Sequence, residues 1–412
     1  MKSNRKIRKP LPIEQVEVSH KHLGLRTVFF VIFVLLAILG ISFGVYYLVR
    51  TESGWQTITP RSTALTNNSS EFSFFYYFNG KATANAAEKR AVQSKYTELC
   101  VTSYQQFTPY EEYENNVYFI NRHYNQEIKV SELLYNSFKT MEGTRFLYLS
   151  PIQYYYDTLC SAEGDWIAED YDPSKNPEVL AFFNEVSAYI MDPEHINVEC
   201  LADNTIRLNI SQEYLAYAQN KGIETFIDFD HYKNAFIVDY LANELVKANI
   251  VNGFISSYDG YSRSLSRNKY SFELYNQVGD SIYYSGVASY EGKAASINLR
   301  SFMTNSLDET LHYNYQNGDV AHVYFDTTDM MSKCSTHYLN VYSSDLSCAD
   351  MLKYVYPLWT ADSLDETAVS ALPLKNMNYI YTKGDTVYYS DGDLAFTFEE
   401  YPEIEFKAVR NK

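Results

Sequence analysis

The chain lacks what several protein classes require. Its 412 residues include only 5 cysteines (Cys100, Cys160, Cys200, Cys334, Cys348) and no Cys-x-x-Cys pair. That excludes zinc ribbons, thioredoxin-type centres and small disulfide scaffolds; buried thiols with one or two disulfides at most are expected. Cations are scarce too: 34 Lys and Arg face 51 Asp and Glu, a formal net charge of −17. Phosphate backbones are bound by clustered cations, so no nucleic-acid partner is expected. There is no internal repeat, and neither Asp170-Tyr171-Asp172 nor Asp391-Gly392-Asp393 completes a calcium-loop spacing. What abounds is apolar and aromatic, with 46% hydrophobic residues and 40 tyrosines. Disorder is thereby excluded as the main state. Tyrosine suits half-buried sheet surfaces, ring inside and hydroxyl in water.

The charge is unevenly placed. Residues 1–26 hold Lys2, Arg5, Lys6, Arg8, Lys9, Lys21 and Arg26 against Glu14 and Glu17, a net of +5, which leaves −22 for the rest of the −17 total. Thr27 to Val49 then runs 23 residues without a charged side chain. At about 1.5 Å per residue this suffices for one transmembrane helix. The alternative is a cleaved signal peptide with a cleavage site among Gly40, Ser42 and Gly44, but such apolar regions are usually shorter, about 7–15 residues. The positive-inside rule puts the basic tail (1–26) in the cytoplasm. A single-pass plasma-membrane protein with an extracytoplasmic body is therefore expected, its partner the membrane through Thr27–Val49. The Ser/Thr/Asn-rich segment 50–70 is expected to be a stalk.

From Glu71 onward helices and strands intermix. Strands are expected at Phe72–Asn79, at Ile196–Leu208 (two, around Ala202-Asp203-Asn204), and at Glu224–Phe229 and Asn252–Ser256. Others are expected at Lys269–Tyr275, Ser281–Tyr284, Ala295–Arg300, Val320–Phe325, Tyr338–Tyr342, Tyr379–Thr382 and Val387–Tyr389. Helices are expected at Ala84–Leu99 (Thr83 as N-cap), Val130–Met141, Pro177–Met191, Ala235–Ala248 and Cys348–Leu358. Strand, helix and strand following one another near residue 240 argue for helices packed on a sheet, hence an α+β class. One large domain spans 71–398, with a C-terminal tail at 399–412.

Several motif remnants carry a family resemblance. The segment 227–260, IDFDHYKNAFIVDYLANELVKANIVNGFISSYDG, resembles the strand, Asp-Leu-Gly-Gly-Ile-Ala-Lys-Gly turn, Val-Asp helix, strand and Gly-Gly-Asp of ApbE-type flavin transferases, which move FMN from FAD onto a protein threonine. Asp228 and Asp239 match. The glycines fall on Asp230 and His231, the lysine on Asn234 with Lys233 one position early, and Gly-Gly-Asp becomes Tyr258-Asp259-Gly260. Gly143 and Pro151 in MEGTRFLYLSPI fit the family's Thr-Asp-Gly…Pro-Leu stretch, with Phe146 and Tyr148 replacing its Asp and Thr. Tyr104 and Asn121 fall near its Ser-x-Tyr and Leu-Asn landmarks. MTNS keeps Thr304, AHVYFDTTD keeps His322 and Thr328, and SCADMLKYVYPL keeps Asp350 but has Tyr354 where the family has Thr.

The resemblance implies an ApbE-like, T-fold-related domain, FAD and Mg2+ as cofactors if the site is retained, and an exported flavoprotein acceptor or another extracytoplasmic protein as partner. It implies catalytic roles for Asp239 and His322, cofactor contacts by Asn234, Tyr258, Asp259, Gly260, Thr304 and Thr328, and a metal ligand at Asp350. Several have a structural alternative: Asp350 as a helix cap, His322 as a satisfied structural histidine, Asp239 as a solvated or capping group, and Lys233 as an ordinary surface lysine. No Ser-Gly-Ala-Thr flavinylation target is present. Lost glycines, lysine and threonine together imply a divergent member with reduced or lost activity; the other class in view is a non-catalytic binding or scaffold module.

Overall fold

The computed structural model describes residues 23–48, 51–61, 71–304 and 310–411. Its centre is a nine-stranded sheet in the order β1 (Gly54–Ile58), β2 (Phe72–Phe78), β6 (Gly253–Ser257), β7 (Tyr261–Ser264), β10 (Ala295–Arg300), β13 (Tyr338–Ser343), β14 (Asn378–Lys383), β15 (Thr386–Tyr389) and β17 (Lys407–Arg410). Neighbours are antiparallel, save that β17 lies parallel to β15. The alternation in β2 shows why it pairs here: Phe72, Phe74, Tyr76 and Phe78 point into the core, while Ser73, Phe75 and Tyr77 are exposed.

Helices α2 (Ala82–Phe107), α9 (Lys233–Lys247) and α10 (Cys348–Trp359) form a layer against β1, β6, β7 and β10. A three-stranded sheet of β8 (Asn268–Val278), β9 (Ser281–Gly292) and β16 (Ala395–Phe398) covers part of the other face. Strand β13, between the two layers, is buried at every position. Leu339 and Val341 join the main core, and Tyr338 and Tyr342 the smaller one beneath the second sheet.

Here the tyrosines depart from expectation. Tyr96, Tyr156, Tyr214, Tyr261, Tyr338, Tyr342 and Tyr379 are among the largest fully buried side chains. Burial is tolerable where the hydroxyl finds a partner inside: Tyr338 Oη donates to the Glu273 carbonyl at 2.7 Å, Tyr342 Oη to Asp391 at 2.8 Å, and Tyr156 Oη to the Met330 carbonyl at 2.7 Å.

The remainder is mostly helical. Helices α3 (Val117–Arg122), α4 (Glu132–Thr140), α5 (Ser150–Cys160), α6 (Asp165–Tyr171), α7 (Pro177–Ile190) and α8 (Gln212–Lys221) accompany a small sheet of β3 (Glu127–Lys129), β5 (Thr205–Ile210) and β4 (Ile196–Cys200). A hairpin of β11 (His312–Asn314) and β12 (Val320–His322), and α11 (Glu366–Ser370), complete the set. Ser131 and Asn176 cap α4 and α7 through their side chains, whereas the N-cap position of α2 is Lys81, not the expected Thr83, and makes no side-chain cap.

Several expectations are corrected. The strand expected at Glu224–Phe229 does not form. Instead Asn121, 1% exposed, takes the place of a neighbouring strand: its Oδ1 accepts from the N–H groups of Phe226 (2.8 Å) and Ile227 (2.9 Å), and its Nδ2 donates to the Ile227 carbonyl at 2.9 Å. The stalk expected at 50–70 begins inside the sheet, because Trp55 and Ile58 of β1 pair with Tyr77 and Phe74; residues 62–70 lie outside the described ones. The tail expected at 399–412 supplies β17. All five cysteines are free thiols.

Helix α1 runs Leu23–Leu48, and its described apolar side chains, Val28 to Ile41, are exposed. Among the described residues, however, no helix is long and apolar enough to cross a membrane. Side chains in α1 are described only at Gly24 and over residues 27–42, and Val49 and the tail to residue 22 lie outside.

At the turn between β6 and β7, Gly260 adopts φ +98°, and a Cβ there would lie 1.9 Å from the Asn298 carbonyl oxygen of β10. Both features demand glycine. Gly260→Ala should therefore cost about 2–4 kcal/mol, measured as a lower urea midpoint; an unchanged midpoint would show that the turn has room.

Candidate functional site

Elements distant in sequence converge beside the N-terminus of α9. The turn Asp228–Tyr232 leads into that helix, with Asp228 Oδ1 accepting the Asp230 N–H at 3.0 Å. From α5, Asp157 Oδ1 meets His231 Nε2 at 3.1 Å, and Asp230 Oδ2 lies 3.5 Å from the same nitrogen. From the start of β2, Glu71 meets Lys233 Nζ at 3.3 Å and accepts from Asn234 Nδ2 at 3.1 Å. Asn234 Nδ2 also donates to Asp259 Oδ2, on the β6–β7 turn, at 3.0 Å. Glu71, Asp228, Asp230 and Lys233, with Tyr104, Phe107, Thr108, Pro109, Tyr110 and Ile237, line a cavity of about 240 Å3.

Five carboxylates (Glu71, Asp157, Asp228, Asp230, Asp259) thus surround two cationic side chains, and burial sharpens the imbalance. Burial pushes Asp228 and Asp259 up to about 6. Asp230 is pushed well above the carboxylate range, by burial first and then by Asp157. Burial alone would lower His231, but Asp230 and its hydrogen-bonded partner Asp157 raise it to about 9. Lys233 is likewise raised against burial, by Glu71, Asp228 and Asp230. It is no ordinary surface lysine.

Of the residues expected to act, Asn234, Tyr258, Asp259 and Gly260 gather at this cluster. Tyr258 is half-buried, its N–H donating to the Glu71 carbonyl at 2.9 Å. His322 lies one ring further on, with Tyr324 between: ring centroids are 5.8 Å apart for His322–Tyr324 and 6.1 Å for Tyr324–His231. The His322 ring is buried with its Nδ1 3.1 Å from Ser332 Oγ.

The others serve elsewhere. Asp239 Oδ1 accepts from Arg263 Nη1 (2.8 Å) and the Cys348 N–H (3.1 Å), and its Oδ2 from the Ala349 N–H (2.9 Å). From α9 it caps two further N–H groups at the start of α10. Asp350 is exposed and completes a capping box with Ser347, its Oδ2 accepting the Ser347 hydroxyl at 2.7 Å. Tyr354, in the position of the family's threonine, is stacked under Lys375 Nζ at 4.1 Å. Thr328 closes a surface turn by donating through N–H and hydroxyl to Asp326, each at 2.8 Å. Thr304 ends a described stretch, half-buried, with residues 305–309 outside it.

Glu71, Asp157 and Tyr110 were not legible as site residues. Asp157 follows three tyrosines on a helix, and nothing local distinguishes it from a solvated acid. Asp230 and His231 were visible only as replacements for glycines.

A mixed, mostly antiparallel sheet carrying helices on one face and a polar cluster at the helix N-terminus defines an α+β class with a pocket at the layer edge. More particularly, the fold is that of ApbE flavin transferases. The chain is similar to the flavin transferase ApbE from Vibrio cholerae at 13% identity, over 84% of this chain and 97% of that one, with a TM-score of 0.51. It also resembles the ApbE protein of Thermotoga maritima (12% identity, 83% and 97% covered, TM-score 0.48) and the flavinyl transferase ApbE of Pseudomonas stutzeri in its apo form (10%, 85% and 95%, 0.47). No family model and no curated protein matches the sequence. The fold is thus ApbE-like and the sequence strongly divergent.

Burial first, and then His312, hold the His322 imidazole down to about 3. The unfolded chain takes up that proton near pH 6.5. The stability conferred by the neutral ring is therefore present above pH 6.5 and lost as pH falls toward 3. The unfolding free energy of the native chain minus that of His322→Gln should fall over this window by up to about 1.4 kcal/mol per pH unit; a pH-independent difference would refute a neutral buried His322.

Proposed function

We propose that this chain is a membrane-anchored, outward-facing protein on the ApbE-like fold, in which transfer of FMN from FAD is reduced or lost. The observation that carries the proposal is the acidic turn Asp228–Lys233 and the carboxylates around it. Where a pyrophosphate needs backbone N–H groups at close approach and cations around it, this turn presents the Asp230 and His231 side chains within a net negative cluster. Nor does Asp350 suit Mg2+. It is engaged with Ser347, and Tyr354 offers no aliphatic hydroxyl beside it. The residues present do not fit the two cofactors.

The anchoring part rests on the uncharged stretch Thr27–Val49 and the basic residues before it. It places the body outside the cytoplasm, where an exported protein would be its partner. A second reading, a non-catalytic binding or scaffold module on the same fold, is favoured by the same acidic lining.

Incubating the full-length chain with FAD, Mg2+ and a threonine-bearing acceptor peptide should yield no covalently flavinylated, fluorescent peptide; its appearance would overturn the proposal. Thermal unfolding with FAD tests the misfit directly: ligand at 100 times its dissociation constant adds about 2.7 kcal/mol, so no shift is expected, and stabilisation would show a retained nucleotide site. For the topology, protease added outside intact cells should remove an epitope placed at the C-terminus and spare one placed before Leu23; a protected C-terminal epitope would reverse the assignment.

A further inference from the structure

We propose that Asp157, Asp230 and His231 form a binding site for a divalent transition-metal ion, with Zn2+ as its test case. One oxygen from each carboxylate and one imidazole nitrogen all lie within 4.8 Å of one another. His231 Nε2 is 3.1 Å from Asp157 Oδ1 and 3.5 Å from Asp230 Oδ2. A tetrahedral ion with bonds of about 2.0–2.2 Å separates its ligands by about 3.3–3.6 Å. The two separations from His231 thus already suit such a site, while the carboxylate oxygens of Asp157 and Asp230, within 4.8 Å of each other, close to about 3.3–3.6 Å on binding.

A hydrogen-bonded ion pair would produce part of this geometry, but not all of it. Asp230 Oδ2 is buried and accepts no hydrogen bond. Asp259 is 3% exposed, its Oδ1 also has no donor, and its charge acts on His231. Buried acceptors are almost always satisfied, and an orphan beside a ligand-like cluster is what a bound cation accounts for. The charge agrees: with His231 neutral as a ligand, five carboxylates against Lys233 leave an excess of four negative charges, two of which one divalent ion offsets.

The donor set also selects the ion. Ca2+ takes six to eight oxygens and Mg2+ keeps its water, whereas one imidazole with two carboxylates suits zinc or manganese. Three protein ligands leave the fourth position to water or to a molecule in the adjoining cavity, which Asp230 also lines. The ligands come from two rigid supports. Asp157 is carried by α5, with Gln153 Nε2 3.4 Å from its Oδ1, and the Asp230–His231 turn is pinned by Asp228. The glycine turn that the resemblance leads one to expect, an anion cradle, is thereby replaced by a cation site.

The test uses the full-length chain in detergent, stripped with EDTA and titrated calorimetrically with ZnCl2, and separately with MnCl2 and MgCl2, without flavin. The expected result is one Zn2+ per chain with a raised melting temperature, and weakening by more than about 100-fold in both His231→Gln and Asp157→Asn. Asp157 is partly exposed, so its variant keeps the test informative if His231→Gln fails to fold. Asp350→Asn should bind zinc as the native chain does, which separates this site from the position where Mg2+ was expected. The proposal is overturned if the native chain binds no zinc, if both cluster variants retain it, or if only Asp350→Asn loses it. None of these outcomes depends on whether FMN transfer occurs.

Discussion

The carboxylate of Asp239 joins three elements that have no covalent reason to meet. It sits on α9, receives the Arg263 guanidinium from β7, and satisfies the N–H groups of Cys348 and Ala349 that open α10. The first N–H groups of a helix have no partner within it, and a buried helix start without one would cost several kcal/mol. Arg263 in turn makes the buried carboxylate tolerable, holding its pKa down against the upward push of burial. Through this one group the helical layer is set at a fixed height on the sheet. The start of α9, and with it the turn Asp228–Lys233, is positioned as a consequence.

That turn is where the molecule parts from the chemistry its fold suggests. A phosphate-binding turn works by having no side chains: backbone N–H groups approach the anion and the helix dipole adds to them. Here the helix start remains, but Asp230 and His231 project beside it and Glu71 holds Lys233, the nearest cation, in an ion pair. The side chains around this helix start are net negative. An ApbE-like fold therefore carries a pocket suited to positive charge, which illustrates why fold alone does not assign activity.

The elements legible in the sequence were those with strong local patterns. Ser131 marked the start of α4 and Pro177 that of α7, the aromatic-rich Phe72–Asn79 marked β2, and the apolar stripe Ile237, Leu241, Leu245 marked α9. Other segments were silent for identifiable reasons. Strand β1 is an edge strand inside a Ser/Thr-rich stretch, and β17 makes its only pairing with β15, in the parallel sense. The segment Glu224–Phe229 has strand-like residues, but its backbone groups are taken by the Asn121 side chain, the Ser150 hydroxyl and the Leu147 carbonyl rather than by a neighbouring strand. Asp350 and Asp239, expected as a metal ligand and a catalytic group with capping as an alternative, both cap α10, one from within it and one from outside.

By itself the sequence determined the α+β class, the acidic body behind a basic tail, and the loss of the glycines, lysine and threonine of the flavin-transfer motifs. These follow from composition and from patterns within about ten residues, where spacing and side-chain type act directly on the backbone. Only the tertiary structure decided that Asp157 meets His231 across 74 residues, that Tyr338 and Tyr342 are core residues with internal hydrogen-bond partners, and that Lys233 is an ion-pair member. Such contacts depend on how layers stack and on which buried polar groups find one another. That is a property of the packed whole, which no local pattern encodes.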